Sequence, residues 1–402
     1  MAAVSVRRVG LSWVARTAGV AAAAVGFVIS GVGPASAVTP LSEYVDQTYQ
    51  ANGRVTAILP IGNTVYIGGA FTSLRPYGAA AGTGEVTRNH LAAIDRVTGA
   101  LLPWNPGTDK TVYALAASPD QSLIYVGGGF SAAGGVRRSR LAALDPVTGA
   151  PTSWAPVTDQ NVYALAVSAT RIYFGGTIDR VNGQARGRLA AVDAAGVLDP
   201  AWHPVADNRV RMLTTSPDSA SIYVGGEFGS IDGDTTQKNL VKLTPDTGAP
   251  QPWKLHPGYP VFGVAFFGPT LFAGGNGSGG HVGAFDAATG TRLWTLQTDG
   301  GVQAVTVMDN TLYVGGHFDN VCVGVIDGAT TGFRCPKNAA TRHKLLAIDV
   351  TTGDLDPWNP GADSPLGVFA LANSGGSLQV GGDFKRIGHL RAQQSYAQFS
   401  NA

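Results

Sequence analysis

Seven times along this chain an apolar run ends in a paired glycine: Gly68-Gly69, Gly127-Gly128, Gly175-Gly176, Gly225-Gly226, Gly274-Gly275, Gly315-Gly316 and Gly381-Gly382. The frames read IYVGGGF or LYVGGHF, and successive pairs lie 41 to 66 residues apart. A period of this size marks one supersecondary unit copied along or around an axis, so it limits the fold before any single residue is considered.

Four segments recur in each unit. The first alternates, as in VYALAAS (112–118), VYALAVS (162–168) and VFALANS (368–374). The second is the glycine-pair strand. The third is apolar and mostly ends in Asp, at Asp95, Asp145, Asp193, Asp286 and Asp349. The fourth carries a lone tryptophan: Trp104, Trp154, Trp202, Trp253, Trp294 or Trp358. Between third and fourth comes Asp-x-x-Thr-Gly, where Asp can accept bonds from its own downstream backbone and Gly supplies a positive φ. Repetition of this acidic turn argues for turn chemistry over calcium, and no metal site is expected.

With 55 glycines, 14% charged residues and only three glutamates (Glu43, Glu85, Glu227), the chain lacks the wet faces of long helices. The reading is all-β. The last unit ends at SYAQFSNA, one strand short, whereas EYVDQTYQ (43–50) near the other end matches a fourth segment. The expected fold is a seven-bladed β-propeller of four-stranded antiparallel blades, a monomer, with the ring closed by an N-terminal strand that completes the last blade.

Residues 1–37 read as a secretory signal peptide. Arg7, Arg8 and Arg16 precede an apolar stretch from Val20 to Val32, and Ala35-Ser36-Ala37 offers a cleavage site after Ala37. The twin-arginine pair lacks the fuller motif, which favours the general secretory route. The expected domain is 38–402, released outside the cell. Its formal charge falls to near −2, because three arginines and no acids leave with the leader. That balance gives no case for nucleic acid or a membrane surface. Cys322 and Cys335, the only cysteines, fall within one inter-strand insertion and are expected to form a disulfide worth about 3 kcal/mol in loop entropy.

The unit GG-x-F…R-L-A-A-x-D-x-x-T-G-x-x-x-x-W-x-P, clearest in RSRLAALDPVTGAPTSWAP (138–156), resembles the bacterial delta-60 repeat of secreted and surface proteins. AFDAATGTRLW (284–294) also resembles the tryptophan-docking motif of quinoprotein propellers, which implies that the six tryptophans pack between blades. The cofactor does not follow: the vicinal cysteines of quinoprotein dehydrogenases are missing. The delta-60 resemblance implies a fold and a compartment without a reaction.

No Ser-His-Asp order, metalloprotease helix, Walker loop or Cys/His cluster is present, so no catalytic residue and no cofactor are assigned. Unequal connections between second and third strands break the repeat at 72–90 in unit one and at 319–344 in unit six, which flank unit seven on a closed ring and so bound one sector of it. They and unit seven nominate Tyr77, Arg88, His90, His317, Arg342, His343, His389 and Arg391 as ligand contacts. Repeated arginines ahead of the third strand, Arg140 and Arg188, are expected to bond loop carbonyls or neighbouring acids. The function expected is a non-catalytic binding module for an extracellular glycan, peptide or protein, in which alanine at Arg88, Arg342 or His343 weakens binding without lowering the melting temperature. The alternative is an extracellular hydrolase or lyase with an axial active site.

Overall fold

The structure is a computed structural model that describes residues 40–255, 257–323, 335, 339–389 and 391–401. The leader assigned to 1–37 lies outside the described residues. Thr39–Ala402 form one compact unit, and no helix occurs among the described residues.

Each repeat unit forms an antiparallel sheet. Its first strands are Val55–Ile61, Val112–Ala117, Val162–Val167, Val210–Thr215, Val261–Phe267, Val302–Met308 and Val368–Ser374. The glycine-pair strand takes the centre and the third strand the other side, as in Val112–Ala117, Ile124–Gly128 and Leu141–Leu144. The central strand is buried over its whole length in most units, which is why its sequence is a continuous apolar run. First strands of consecutive units lie side by side, and Val368–Ser374 lies beside Val55–Ile61.

The paired glycines are explained by two separate crowding problems. A β-carbon on the first glycine would collide with the next unit's leading valine: Gly68 with Val112, Gly127 with Val162, Gly175 with Val210, Gly274 with Val302 and Gly315 with Val368, at 2.5 to 2.8 Å from a valine methyl carbon. A β-carbon on the second glycine would overlap the carbonyl oxygen just ahead of its own unit's leading valine, Arg54 for Gly69 and Asn161 for Gly176. That carbonyl lies at a register shift. In every first strand the residue after the valine is skipped by the ladder: Val55 faces Gly69, Ala57 faces Gly68, and Thr56 is left over. The same β-bulge occurs in the other six.

The expected fourth strand is corrected. Only in unit five does the tryptophan segment form one, Arg292–Thr298 against Gly279–Asp286. Elsewhere it touches its sheet through single bridges, Ile94 to Leu101, Leu144 to Pro151, Val192 to Leu198, Leu243 to Pro250 and Ile348 to Leu355. The cause is proline, which has no N–H for the ladder. Pro103 and Pro106, Pro151 and Pro156, Pro200 and Pro204, Pro250 and Pro252, and Pro357 and Pro360 flank the other five tryptophans, whereas TRLWTLQT (291–298) has none.

The tryptophans nevertheless join neighbouring units. Trp104 donates its indole N–H to the carbonyl of Asp145 at 3.0 Å, Trp154 to Asp193 and Trp202 to Thr244, each in the following unit. On its own unit each ring meets an aromatic of the central strand, as Tyr66 with Trp104 at 4.9 Å between centroids. Burial of one such ring is worth about 3 kcal/mol. Trp358 reaches Ser42 instead, at 3.1 Å. The segment around Ser42 runs antiparallel to the last strand, Tyr396–Phe399: Leu41 bridges Asn401, the Ser42 N–H reaches the Ser400 carbonyl, and the Asp46 N–H reaches that of Gln398.

Candidate functional site

The bulges have a common consequence. Thr56, Tyr113, Tyr163, Arg211, Phe262, Gln303 and Phe369, the seven skipped residues, together line one cavity of about 360 Å³. A bulge re-aims a side chain that the pleat would otherwise alternate, and here it turns one residue from each first strand toward the same space. Arg54, Glu227 and Asn276 complete the lining. Glu227 and Asn276 directly follow glycine pairs, so the cavity opens on the face from which the second-to-third connections depart.

Four of the seven are aromatic, and a fifth, Arg211, stacks on two of them. Tyr113 and Tyr163 stand 4.9 Å apart at a tilt, and burial pushes the Tyr113 hydroxyl pKa up. The Arg211 guanidinium lies over Tyr163 at 5.2 Å and Phe262 at 5.5 Å, and that of Arg54 over Phe369 at 4.8 Å. Glu227 binds Arg211 at 2.8 Å and Arg209 at 3.4 Å. Beside Arg54 sits Asp383, whose carboxyl is pushed up by burial while the Arg54 charge pulls it down. The Ser364 hydroxyl bonds Asp383. Among the described residues no three His, Cys, Asp or Glu side chains gather as a metal cluster would require.

None of the eight residues nominated from the sequence lines this cavity. Arg88 is buried, 8% exposed, and donates to the carbonyls of Thr87 and Leu102. Arg342 does the same with Thr341 and Asp356, and Arg138 and Arg186 repeat the pattern. These arginines belong to the repeat. His90 occupies its left-handed corner at φ 67°, equivalent to Arg140, Arg188, Asn239, Lys344 and Ser395. Its N–H reaches the Phe71 carbonyl, its Nδ1 lies 3.1 Å from the Gly69 carbonyl, and burial lowers its pKa. Arg140 bonds the Thr158 carbonyl, and Arg188 bonds Asp179 and two carbonyls.

His317 is exposed and accepts from the Gly301 N–H, one place round the rim from Asn276. His343 and Lys344 share Asp319 at 2.9 and 2.7 Å; burial raises that carboxyl, but the two donors bring it below its ordinary value. Tyr77 is exposed on the first long connection. His389 and Arg391 converge on the N-terminal segment: His389 pairs with Glu43 at 2.8 Å and packs on Tyr44, and Arg391 lies over the same ring. Cys322 and Cys335 are disulfide-bonded.

The cavity residues were overlooked because they sit within an apparently regular alternation. Their signal is visible once the units are aligned. The valine before them is invariant across the seven copies, while the residue itself reads Thr, Tyr, Tyr, Arg, Phe, Gln, Phe. A second overlooked position is structural. Asn52, Asp109, Asp159, Asp207, Asp299 and Asp363 each accept backbone N–H groups about twenty residues on, tying the link before six of the seven first strands to the connection after the second.

Residues 278–332 match the family model described as outer membrane protein assembly factor BamB. The chain also resembles the crystal structure of the computationally designed Ika8 protein, with a TM-score of 0.52, 17% identity, and coverage of 88% of this chain and 98% of that one. No curated protein matches the sequence. Together with the all-β repeat, the match over 278–332 supports a β-propeller scaffold of the quinoprotein type.

Proposed function

We propose that this protein is a secreted, non-catalytic β-propeller binding module that seats an extracellular glycan, peptide or protein at the cavity formed by its seven bulge residues. The proposed ring has seven blades in a single domain, 38–402, of the delta-60 repeat type, closed by the segment around Ser42. Support for closure comes from the Trp358 bond to Ser42, the pairing of Leu41 with Asn401, and the packing of Gly381 against Val55. The leader at 1–37 and the disulfide between Cys322 and Cys335 support an oxidising extracellular compartment.

The observation that carries the reading is the divergence of one position. Residues kept for packing are alike in all units, whereas the bulge residues differ in size, charge and hydrogen-bonding type while facing one cavity. Aromatic rings with a few polar groups in a concavity of this size match the composition of ligand sites. The hydrolase or lyase alternative is less favoured, because the acids nearest the cavity are engaged: Glu227 by two arginines and Asp383 by Ser364.

A glycan array and a pull-down from secreted proteins, run on the mature chain, test the proposal. Tyr163→Ala and Phe369→Ala are expected to weaken the recovered ligand tenfold or more without changing the melting temperature. If Tyr77→Ala or His343→Ala weakens binding and the cavity variants do not, the site lies on the outer connections instead. Turnover of a polymer by the purified protein would replace the binding reading with the enzymatic one.

A further inference from the structure

We infer that the cavity selects an anionic sugar, a hexuronic acid unit whose ring face rests on the aromatic side chains while its carboxylate is held by Arg54. The inference rests on the binding-module reading and adds the ligand's chemistry. Its origin is the contrast between two guanidiniums in the same cavity. Arg211 is paired, held by Glu227, which also takes Arg209. The Arg54 side chain makes no hydrogen bond among the described residues, although its backbone carbonyl accepts from the Ala70 N–H. Its Nε is buried without a partner, and among the described residues no carboxylate lies within ion-pair distance of it. Most of the other arginines with a buried, unbonded Nε use their terminal nitrogens on carbonyls or acids: Arg88, Arg138, Arg140, Arg186, Arg209 and Arg342 all do so.

Arg54 is also held in place. Stacking over Phe369 leaves its planar fork of donors pre-oriented, so little side-chain freedom remains to be lost when a carboxylate arrives. Asp383 is near enough to be felt, but its carboxylate is bonded to Ser364 and to nearby backbone, so it does not occupy the fork. Phe369, Tyr113 and Tyr163 offer flat apolar faces, to which the C–H face of a pyranose is complementary. Gln303 and Asn276 supply amides for hydroxyl groups. A space of about 360 Å³ suits one or two compact rings, and an extended peptide would overrun it.

The test uses matched ligands on the mature protein: methyl glycosides of glucuronic, galacturonic and mannuronic acid, each against its neutral hexose, with affinities read by ligand-observed NMR. At least one acid is expected to bind tenfold or more tightly than its neutral partner. Arg54→Gln should abolish that preference and leave neutral binding unchanged, while Phe369→Ala should weaken both. Equal affinity for acid and neutral sugar overturns the anionic selection and leaves the binding module standing. So does a preference that survives Arg54→Gln. A Phe-terminated tripeptide that binds through its free carboxylate, and not as the amide, while no sugar binds, overturns the sugar assignment in favour of a peptide. If nothing in the array, pull-down or glycoside series binds at the cavity, both readings fall.

Discussion

Gly381, in the last central strand, has a methyl carbon of Val55 2.7 Å from where its β-carbon would stand, more than three hundred residues away in sequence. The same relation links Gly68 to Val112, and each first glycine but Gly225 to the next valine. At Gly225 the Met212 side chain stands nearest, at 2.7 Å, with the Val261 carbonyl oxygen at 2.8 Å. The contact between the two ends of the repeat therefore uses the packing rule of five of the six internal junctions. Gly381→Ala is expected to cost about 1–3 kcal/mol, as overpacking does, and Gly127→Ala a similar amount. Chemical denaturation of both variants checks this. A neutral Gly381→Ala beside a costly Gly127→Ala would mean that the terminal junction is loose and the ring open.

Removal of the chain through residue 47 should be more damaging than trimming a disordered tail. It withdraws the Ser42 and Asp46 backbone bonds to the last strand, the acceptor of Trp358 and the Glu43 partner of His389. At about 1 kcal/mol per hydrogen bond, a loss on the order of 3–4 kcal/mol is expected, together with self-association through the bared strand edge. Thermal unfolding and light scattering read the two effects separately. An unchanged melting temperature would contradict closure by this segment.

Arg88→Ala and Arg342→Ala should lower stability, contrary to the sequence-based expectation that they affect binding alone. Each leaves two carbonyls without a donor beside a tryptophan segment, at about 1–3 kcal/mol. Arg211→Ala at the cavity should leave the fold less affected than ligand binding. Denaturation midpoints of the three variants decide it, and a normal midpoint for Arg88→Ala would return that residue to the list of contacts.

Acid should destabilise the fold over a defined window. Hydrogen bonds from Thr98, Thr148 and Thr289 hold Asp95, Asp145 and Asp286 below the ordinary carboxylate value of 3.8, and the Ser118 hydroxyl leads the groups that bring Asp120 down to about 2. A carboxylate depressed in the folded state stabilises above its unfolded pKa, and that stabilisation is lost as pH falls through the folded value. The urea midpoint should thus stay level with respect to these groups above pH 5 and drop between about pH 4 and pH 2. Asp383, raised by burial, acts in the opposite sense and should soften the drop. A level midpoint down to pH 2 would mean that the turn bonds do not favour the ionised form.

The sequence by itself determined the repeat, its all-β character, the turn chemistry of Asp-x-x-Thr-Gly and the disulfide, because each rests on contacts between residues close along the chain or copied at a fixed interval. It also held the reason for the missing fourth strands, in the prolines that flank Trp104, Trp154, Trp202, Trp253 and Trp358. What only the tertiary structure decided was where Tyr113, Tyr163, Arg211, Phe262, Gln303 and Phe369 point. A bulge shifts register without changing composition, so alternation along one strand could not reveal that its second residue leaves the ladder. Nor could it reveal that first strands set far apart in sequence bring those residues to one cavity.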